Sequence, residues 1–129
     1  MAKTILIVDD KPEIAQIVKL YLSNLYDMHY FENPALAIPW LEEGNIPDAI
    51  ISDLNMPQMN GEDFVVYLKS SNRYREIPIL VLSSVYSNSD RNRLFEEGVN
   101  DFILKPFNPE ELKMRIKVLV RWTVFCSKW

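Results

Sequence analysis

The pattern of apolar and polar positions along the chain alternates between short apolar runs and longer stretches with helical spacing. Residues 4–8 form a largely apolar run, which is typical of a strand buried on both faces. In residues 12–25 the apolar side chains instead recur every three or four positions and form one stripe along a helix. Further strands are predicted at 27–31, 48–52, 77–82 and 101–104. Further helices are predicted at 34–44, 61–71, 87–97 and from 109 onwards.

Prolines and asparagines mark the ends of several predicted helices. Pro12 suits the first helical position, where its missing N–H leaves no helical hydrogen bond unmade. Asn33 and Asn108 are predicted N-caps, and acidic residues follow Asn108 at the positive end of the helix dipole. Pro39 lies inside the second predicted helix, so we expect it to kink or shorten that helix.

Five strand–helix units in strict alternation, joined by short connections, indicate an α/β fold. This order predicts a parallel sheet with helices on both faces and right-handed crossovers. The sequence shows no repeat, low-complexity segment or linker. We therefore predict one domain over residues 1–121, followed by a short C-terminal segment at 122–129.

Composition narrows the class of protein further. The chain has 129 residues and a net charge of −4, which argues against nucleic-acid binding by this domain, since such domains usually carry a basic face. No apolar stretch reaches the length of a membrane span, and the N-terminus lacks a signal-peptide pattern. A single cysteine, Cys126, fits a reducing cytosol, so a cytoplasmic location is expected. A single histidine, His29, excludes a histidine-rich metal site and disfavours a Ser-His-Asp triad.

Charged residues follow three of the predicted strands. Asp9 and Asp10 come after the first strand, Asp53 after the third, and Lys105 after the fifth. Each aspartate alone has an ordinary interpretation as a helix cap or turn residue. Because ligands of open α/β sheets bind at the carboxyl ends of the strands, the four side chains are expected to share one crevice. Three carboxylates there would repel each other without a hard cation, which indicates a magnesium site beside an anion.

The residues around this crevice suggest that the anion is a phosphoryl group. Lys105 precedes Pro106, and a cis bond at that position would turn the lysine into the crevice. Ser83 ends the fourth strand and offers a hydroxyl to a phosphoryl oxygen. With three glycines in all, the chain has no glycine-rich loop that could hold a nucleotide. Metal, lysine and hydroxyl would therefore have to hold the phosphoryl group.

The ordered set of these motifs resembles the response-regulator receiver domains of two-component signalling, in particular the chemotaxis-type regulators. The resemblance covers residues 3 to about 121. It rests on Val8-Asp9-Asp10, on Asp53-Leu54-Asn55-Met56-Pro57 with Gly61, on Ser83-Ser84, and on Lys105-Pro106-Phe107, at matching spacings. The resemblance implies a flavodoxin-like (βα)5 three-layer sandwich around a five-stranded parallel sheet with strand order 2-1-3-4-5.

The resemblance also implies a role for each residue of the crevice. Asp53 would be the phosphoacceptor, and Asp10 would bind Mg²⁺ directly, with Asp9 helping through water. Asn55 would supply its backbone carbonyl to the metal, and Lys105 would contact the phosphoryl group. The domain would then catalyse its own phosphorylation and dephosphorylation without being a conventional enzyme.

The same resemblance implies a conformational switch. Ser83 would contact the phosphoryl group and move inward, and Phe102 would rotate from an exposed to a buried position. The surface that changes would comprise the fourth helix, fifth strand and fifth helix. Implied partners are a sensor histidine kinase or phosphotransfer protein, a downstream protein or fused output domain, and a second copy of the chain bound through this surface. No membrane is among them.

Two other functions remain open from the sequence. One is a receiver-like scaffold that never takes a phosphoryl group, against which the intact Asp9, Asp10, Asp53, Ser83 and Lys105 argue. The other is a metal-dependent phosphohydrolase with Asp53 as nucleophile. Such enzymes carry a second acid two residues after the nucleophile, where this chain has Asn55.

The C-terminal segment 122–129 carries aromatic residues at helical spacing, namely Trp122, Phe125 and Trp129. Exposed aromatic side chains are unfavourable unless they find a partner. We therefore expect the segment to extend the last helix and to form a dimer contact or dock another domain. The alternative is an expression remnant or the start of a linker.

Overall fold

The computed structural model describes residues 3–54, 61–84 and 88–126, and for Asn88 and residues 122–126 the backbone only. Five strands alternate with five helices in this part of the chain. The strands are β1 (Lys3–Val8), β2 (Tyr26–Phe31), β3 (Ala49–Asp53), β4 (Ile79–Ser83) and β5 (Asp101–Leu104). The helices are α1 (Pro12–Leu22), α2 (Pro34–Glu42), α3 (Gly61–Lys69), α4 (Asn88–Glu96) and α5 (Pro109–Cys126).

The strands form one parallel sheet in the order β2-β1-β3-β4-β5, as expected. The register of this sheet places the carboxyl ends of β1, β3, β4 and β5 side by side. Val8 pairs with Ser52, Asp53 pairs with Leu82, and Ser83 pairs with Leu104. The residues that end or follow β1, β3, β4 and β5 therefore lie along one edge of the sheet.

Two hydrophobic layers cover the two faces of the sheet. Leu6 and Val8 point into the layer that contains the buried side chains of α2, α3 and α4. Ile5 and Ile7 point into the opposite layer, which α1 and α5 complete. Because alternate residues of β1 face opposite layers, the strand has to be apolar on both faces from Ile5 to Val8, and this explains the apolar run at these positions.

The structure bears out the predicted helix starts. Pro12 is the first residue of α1, and the side chain of Asn33 accepts the Leu36 N–H at 3.1 Å. The side chain of Asn108 accepts the Glu110 N–H at 2.9 Å. Around Pro39, α2 continues to Glu42, so the proline is accommodated inside a short helix.

Several predicted boundaries were wrong by a few residues. α1 ends at Leu22 because the Leu25 N–H donates to the Leu22 carbonyl at 2.9 Å and closes a tight turn before β2. β4 begins at Ile79 because the Ile77 N–H donates back to Tyr74 at 3.0 Å. Asp53 is the last residue of β3 and pairs with β4, so it belongs to the sheet and does not merely follow it.

None of the described helices has the length and apolar character needed to cross a membrane. The backbone of α5 continues to Cys126, and Val120 is the last residue of this helix in the hydrophobic layer among those whose side chains are described. Of the C-terminal aromatic residues, Trp129 lies outside the described residues, and the side chains of Trp122 and Phe125 are not described. The roles expected of the segment 122–129 therefore stay predictions.

Candidate functional site

A cluster of three carboxylates lies at the carboxyl edge of the sheet. Asp9, Asp10 and Asp53 each place a carboxylate oxygen within 4.8 Å of the others. Asp9 is fully buried, Asp53 is 4% exposed, and Asp10 is partly exposed. Asp9 and Asp10 follow β1 while Asp53 ends the adjacent β3, so neighbouring strands bring the cluster together.

The carboxylate of Asp9 is oriented by two donors. Its Oδ1 accepts the backbone N–H of Lys11 at 2.9 Å, and its Oδ2 accepts Lys105 Nζ at 3.4 Å. Burial nevertheless raises the pKa of Asp9 above its usual value, and the neighbouring charge of Asp53 adds to the rise. The Lys11 N–H and the Lys105 ammonium oppose it. The negative charge of Asp9 is therefore costly unless additional positive charge is present.

Lys105 bridges two of the carboxylates. Its Nζ lies 3.2 Å from Asp53 Oδ1 and 3.4 Å from Asp9 Oδ2, and its side chain is only 12% exposed. The backbone N–H of Lys105 donates to the Ser83 carbonyl at 2.7 Å, which anchors the end of β5 to β4. The Lys105–Pro106 peptide bond is cis, as the sequence suggested. One ammonium group is thus shared by two of the three carboxylates.

The environment of the third carboxylate, that of Asp10, indicates whether these residues fit a cation. Oδ1 of Asp10 is buried, and no described group donates a hydrogen bond to it. A buried carboxylate oxygen without a donor is unfavourable in the absence of another positive partner. Mg²⁺ prefers hard oxygen ligands and is usually bound in proteins by carboxylates together with water. The residues present therefore fit a hard divalent cation.

Gly61 lets α3 begin directly against the end of β3. A Cβ at this position would clash with the carbonyl oxygen of Asp53 and lie 2.6 Å from the Leu54 Cα. The Gly61 N–H also donates to the Leu54 carbonyl at 2.7 Å. Only a residue without a side chain permits this approach, so Gly61 fixes the backbone that carries Asp53.

The two predicted switch residues lie on the adjacent strands β4 and β5. Ser83 is fully buried at the end of β4, and Ser84 after it is exposed. Phe102 on β5 is only 6% exposed and packs in the layer that holds Leu94 and Val99. The structure therefore has Phe102 in the buried position, one of the two positions expected for it.

One predicted ligand lies outside the described residues. Asn55, whose backbone carbonyl was expected to bind the metal, belongs to the range 55–60, which the structure does not describe. The other predicted site residues, Asp9, Asp10, Asp53, Ser83 and Lys105, end up at one edge of the sheet, as their positions in the chain suggested.

Sequence reasoning missed Tyr30. Its hydroxyl donates to the backbone carbonyl of Asp9 at 2.7 Å. Partial burial, together with the negative charges of Asp9 and Glu32, raises the pKa of Tyr30 above its usual value, so the phenol keeps its proton. In the sequence Tyr30 is one of several aromatic residues of β2, and only the register of β2 against β1 reveals the contact.

A mainly apolar groove of about 390 Å³ opens beside Lys105. It runs between α1 and the connection from β5 to α5. Its lining residues are Lys11, Ile14, Ile17, Ser84, Lys105, Pro106, Phe107 and Pro109. The groove thus brings an apolar surface next to the ammonium group that contacts Asp53.

Comparison with known sequences identifies relatives over nearly the whole chain. The family described as "Response regulator receiver domain" matches residues 5–117. Chemotaxis protein CheY1 of Helicobacter pylori is 34% identical over 118 residues, which cover 90% of this chain and 95% of that protein. Transcriptional regulatory protein SrrA of Staphylococcus aureus is 34% identical over 124 residues, which cover 95% of this chain and 50% of that protein.

Solved structures of similar proteins share the fold described above. The signal receiver domain of a signal transduction histidine kinase from Syntrophus aciditrophicus matches with a TM-score of 0.84 at 35% identity, covering 93% of this chain and 91% of that one. Chemotaxis response regulator CheY4 of Vibrio cholerae matches with a TM-score of 0.85 at 30% identity, covering 92% and 99%. Sequence, sheet order and acidic cluster agree, and the chain belongs to the response regulator receiver domain family of two-component signalling.

Proposed function

We propose that this chain takes a phosphoryl group from a phosphohistidine donor onto Asp53, and that Mg²⁺ is required. The observation that carries the proposal is the position of Asp53, whose carboxylate lies among two further aspartates and 3.2 Å from Lys105 Nζ. Asp9, Asp10 and Asp53 would hold the ion, together with the backbone carbonyl of Asn55. Bound Mg²⁺ would neutralise charge on the phosphoryl oxygens.

In the proposed reaction, a carboxylate oxygen of Asp53 attacks the phosphorus atom of phosphohistidine. The new O–P bond forms as the P–N bond breaks, and the donor imidazole leaves. Phosphoryl transfer depends mainly on positioning and charge neutralisation, since the protein forms few covalent bonds. Lys105 suits this task because its ammonium group already faces Asp53, held there by the backbone hydrogen bond to Ser83. Water later attacks the same phosphorus and restores the carboxylate.

The proposed signal is a shift in the population of two conformations. The phosphoryl oxygens would draw in the Ser83 hydroxyl at the end of β4 and the ammonium group of Lys105. Each charge-assisted hydrogen bond contributes about 1.5–3 kcal/mol, and the phosphoryl group can bias the equilibrium only by the difference in such contacts between the two states. Phe102, which packs against Leu94 of α4, would pass the change to the α4–β5–α5 surface.

The apolar groove beside Lys105 is the surface that we assign to the phosphodonor. A donor must bring its phosphohistidine to Asp53, and the groove is lined in part by Lys105, whose ammonium group contacts this residue. Ile14 and Ile17 from α1 and Phe107 after β5 would pack against an apolar helix face of a histidine kinase or phosphotransfer protein. Lys11 at the same groove would favour an acidic or phosphorylated partner.

The output partner is proposed more broadly. CheY1 is matched over almost its full length, whereas the chain spans half of SrrA, a transcriptional regulatory protein. Both arrangements fit a receiver that acts on a downstream protein or on a fused output domain. The same proposal includes homodimerisation, either through the α4–β5–α5 surface or through residues 122–129. It also includes a cytoplasmic location.

Intact-mass spectrometry after incubation with acetyl phosphate and MgCl₂ tests the proposed function. The wild type is expected to gain one phosphoryl group, and the gain should vanish with EDTA or in Asp53→Asn. Asp27→Asn is the matched control, because Asp27 is an exposed aspartate of β2 that contacts only His29 among the described side chains. No gain in the wild type would favour a phosphorylation-independent scaffold. Sustained turnover of p-nitrophenyl phosphate would instead favour a phosphohydrolase.

A further inference from the structure

We propose that Tyr30 is a positioning residue for the magnesium site, acting through the backbone of Asp9. The inference deepens the proposed function and rests on it, because it concerns the same three carboxylates. Tyr30 contacts none of the carboxylate oxygens. Its hydroxyl donates to the Asp9 carbonyl at 2.7 Å, a side-chain contact from the second strand to the backbone of the candidate site.

The end of β2 holds the backbone of Asp9 on both sides. The Asp9 N–H donates to the Phe31 carbonyl at 3.2 Å, which continues the ladder between β1 and β2 by one bond. The Asp9 carbonyl accepts the Tyr30 hydroxyl. Tyr30 and Phe31 are consecutive residues, and Tyr30 pairs with Ile7 in the regular part of the ladder. The phenol thus fixes a carbonyl that lies beyond the end of β1.

The orientation of the Asp9 carbonyl bears on the direction of the Asp10 side chain. The C=O of Asp9 and the N and Cα of Asp10 belong to one planar peptide unit, so fixing the carbonyl fixes the direction in which Asp10 leaves the backbone. Oδ1 of Asp10 is the buried oxygen that lacks a donor among the described groups. Asp9 itself is held at its carboxylate by Lys11 N–H and Lys105. A hydrogen bond at this peptide therefore orients Asp10 in particular.

Tyr30 is held in place independently of Asp9. Its ring packs against the hydrophobic layer that contains Ile7 and Val18. The ammonium group of Lys19 on α1 lies 5.8 Å from the ring centroid, within the range of a cation–π contact. Because the ring is fixed by this packing, Tyr30→Phe should keep the ring in place and remove only the hydrogen bond.

Isothermal titration of MgCl₂ into wild type, Tyr30→Phe and a control variant tests the inference. Loss of one hydrogen bond is expected to weaken Mg²⁺ binding by about three- to tenfold in Tyr30→Phe. Tyr67→Phe is the matched control, since the Tyr67 hydroxyl donates to Glu42 at 3.3 Å on the exposed surface of the molecule. Its Mg²⁺ affinity should stay within about twofold of wild type.

A second readout separates positioning from a general loss of structure. The rate of phosphorylation by acetyl phosphate, followed against Mg²⁺ concentration, should shift to higher concentration in Tyr30→Phe and reach the wild-type plateau. Tyr30→Leu serves as a second variant without the hydroxyl if Tyr30→Phe does not fold, and far-UV circular dichroism without Mg²⁺ monitors folding.

The outcomes of the Mg²⁺ titration and of the phosphorylation measurement distinguish failure of this inference from failure of the proposed function. Equal Mg²⁺ affinity in wild type and Tyr30→Phe would overturn the inference and leave the proposed function standing. A lowered plateau at unchanged affinity would also overturn it, because Tyr30 would then act on the reaction by another route. A wild type that binds no Mg²⁺ would overturn the proposed function and, with it, this inference.

Discussion

Lys105 shows how much of the candidate site depends on a single side chain. Its ammonium group lies between Asp9 and Asp53, and both carboxylates are almost completely buried. Gly61 is a second single residue on which the site depends, because the absence of a side chain leaves room for the Asp53 carbonyl. Lys105 supplies positive charge to the crevice, and Gly61 allows the end of β3 and the start of α3 to meet.

Replacing Lys105 by methionine should destabilise the protein in a pH-dependent way. The change leaves the buried carboxylates without their ammonium partner, which should lower the free energy of unfolding at neutral pH by about 3 kcal/mol. The already raised pKa of Asp9 should rise further. A carboxyl group with a raised folded-state pKa contributes stability at low pH that is lost as the pH rises through that pKa. The destabilisation caused by Lys105→Met should therefore be larger at about pH 8 than at about pH 5.

Urea denaturation at both pH values measures this effect. Lys11→Met is the matched control, because the Lys11 side chain is exposed and its contact with Asp9 comes from the backbone N–H, which the substitution keeps. We expect the control to change stability by less than about 0.5 kcal/mol. Equal destabilisation by the two variants would contradict the role given to Lys105.

At the scale of elements, ion pairs link α3 to α4. Arg93 of α4 donates to both carboxylate oxygens of Glu62 on α3, at 2.8 and 3.0 Å, and to Asp90 at 2.8 Å. These bonds lower the pKa of Glu62. Glu97, just beyond α4, has a buried Oε2 with no hydrogen-bond partner among the described groups. Burial, and then the nearby carboxyl group of Glu62, raises the pKa of Glu97 to about 7.

The α3–α4 contact should therefore weaken as Glu97 ionises. Its folded-state pKa of about 7 exceeds the ordinary 4.5, so its contribution to stability is complete below pH 4.5 and is lost as the pH rises through about 7. Besides Glu62, the charges of Asp63 and Arg93 act on it. The free energy of unfolding of the wild type should fall by about 1 kcal/mol between about pH 5 and pH 8 because Glu97 ionises. The value is small because solvent screens the interaction between Glu97 and Glu62.

Glu97→Gln cannot ionise and should lack this part of the pH dependence. Chemical denaturation between about pH 5 and pH 8 measures this difference in pH dependence. Glu96→Gln is the control, because Glu96 is an exposed neighbour on α4. The lowered pKa of Glu62 stabilises the folded protein fully above its ordinary value of 4.5, so this contribution changes only at lower pH, outside this pH range. Parallel pH curves for wild type and Glu97→Gln would contradict the prediction.

At the scale of the whole molecule, the sheet gathers negative charge at one edge of an already acidic chain. The net charge is −4, and three carboxylates from the ends of β1 and β3 meet within 4.8 Å. Parallel strands make this possible, because they place the ends of separate βα units side by side. A cation bound there would connect the ends of two adjacent strands and should favour the folded state over the unfolded chain.

Magnesium should accordingly raise the melting temperature. At a concentration of about ten times Kd, binding to the folded state alone adds about 1.4 kcal/mol, which corresponds to several degrees. Asp10→Asn should abolish most of the rise, whereas Asp27→Asn on the exposed part of β2 should keep it. Thermal unfolding with MgCl₂ and with NaCl at equal ionic strength measures the effect. An equal rise in both salts would contradict a specific site.

Local pattern determined the order of the elements and the helix starts at Pro12 and Pro109. It also determined the strand ends that carry Asp9, Asp10 and Lys105. These features depend on residues close together in the chain, where periodicity and capping chemistry act directly. The common location of the acidic residues also followed from the sequence, because parallel strands leave little freedom about which edge their carboxyl ends share.

Only the tertiary structure decided which groups touch. Lys105 reaches Asp9 across 96 residues, and the Tyr30 hydroxyl reaches the Asp9 carbonyl across 21. The close approach of Gly61 to Asp53 and the link from Arg93 to Glu62 likewise depend on how α3 packs against its neighbours. The physical reason is that such contacts depend on strand register and helix packing, which arise from the summed burial of the whole core and leave no local signal at the residues concerned.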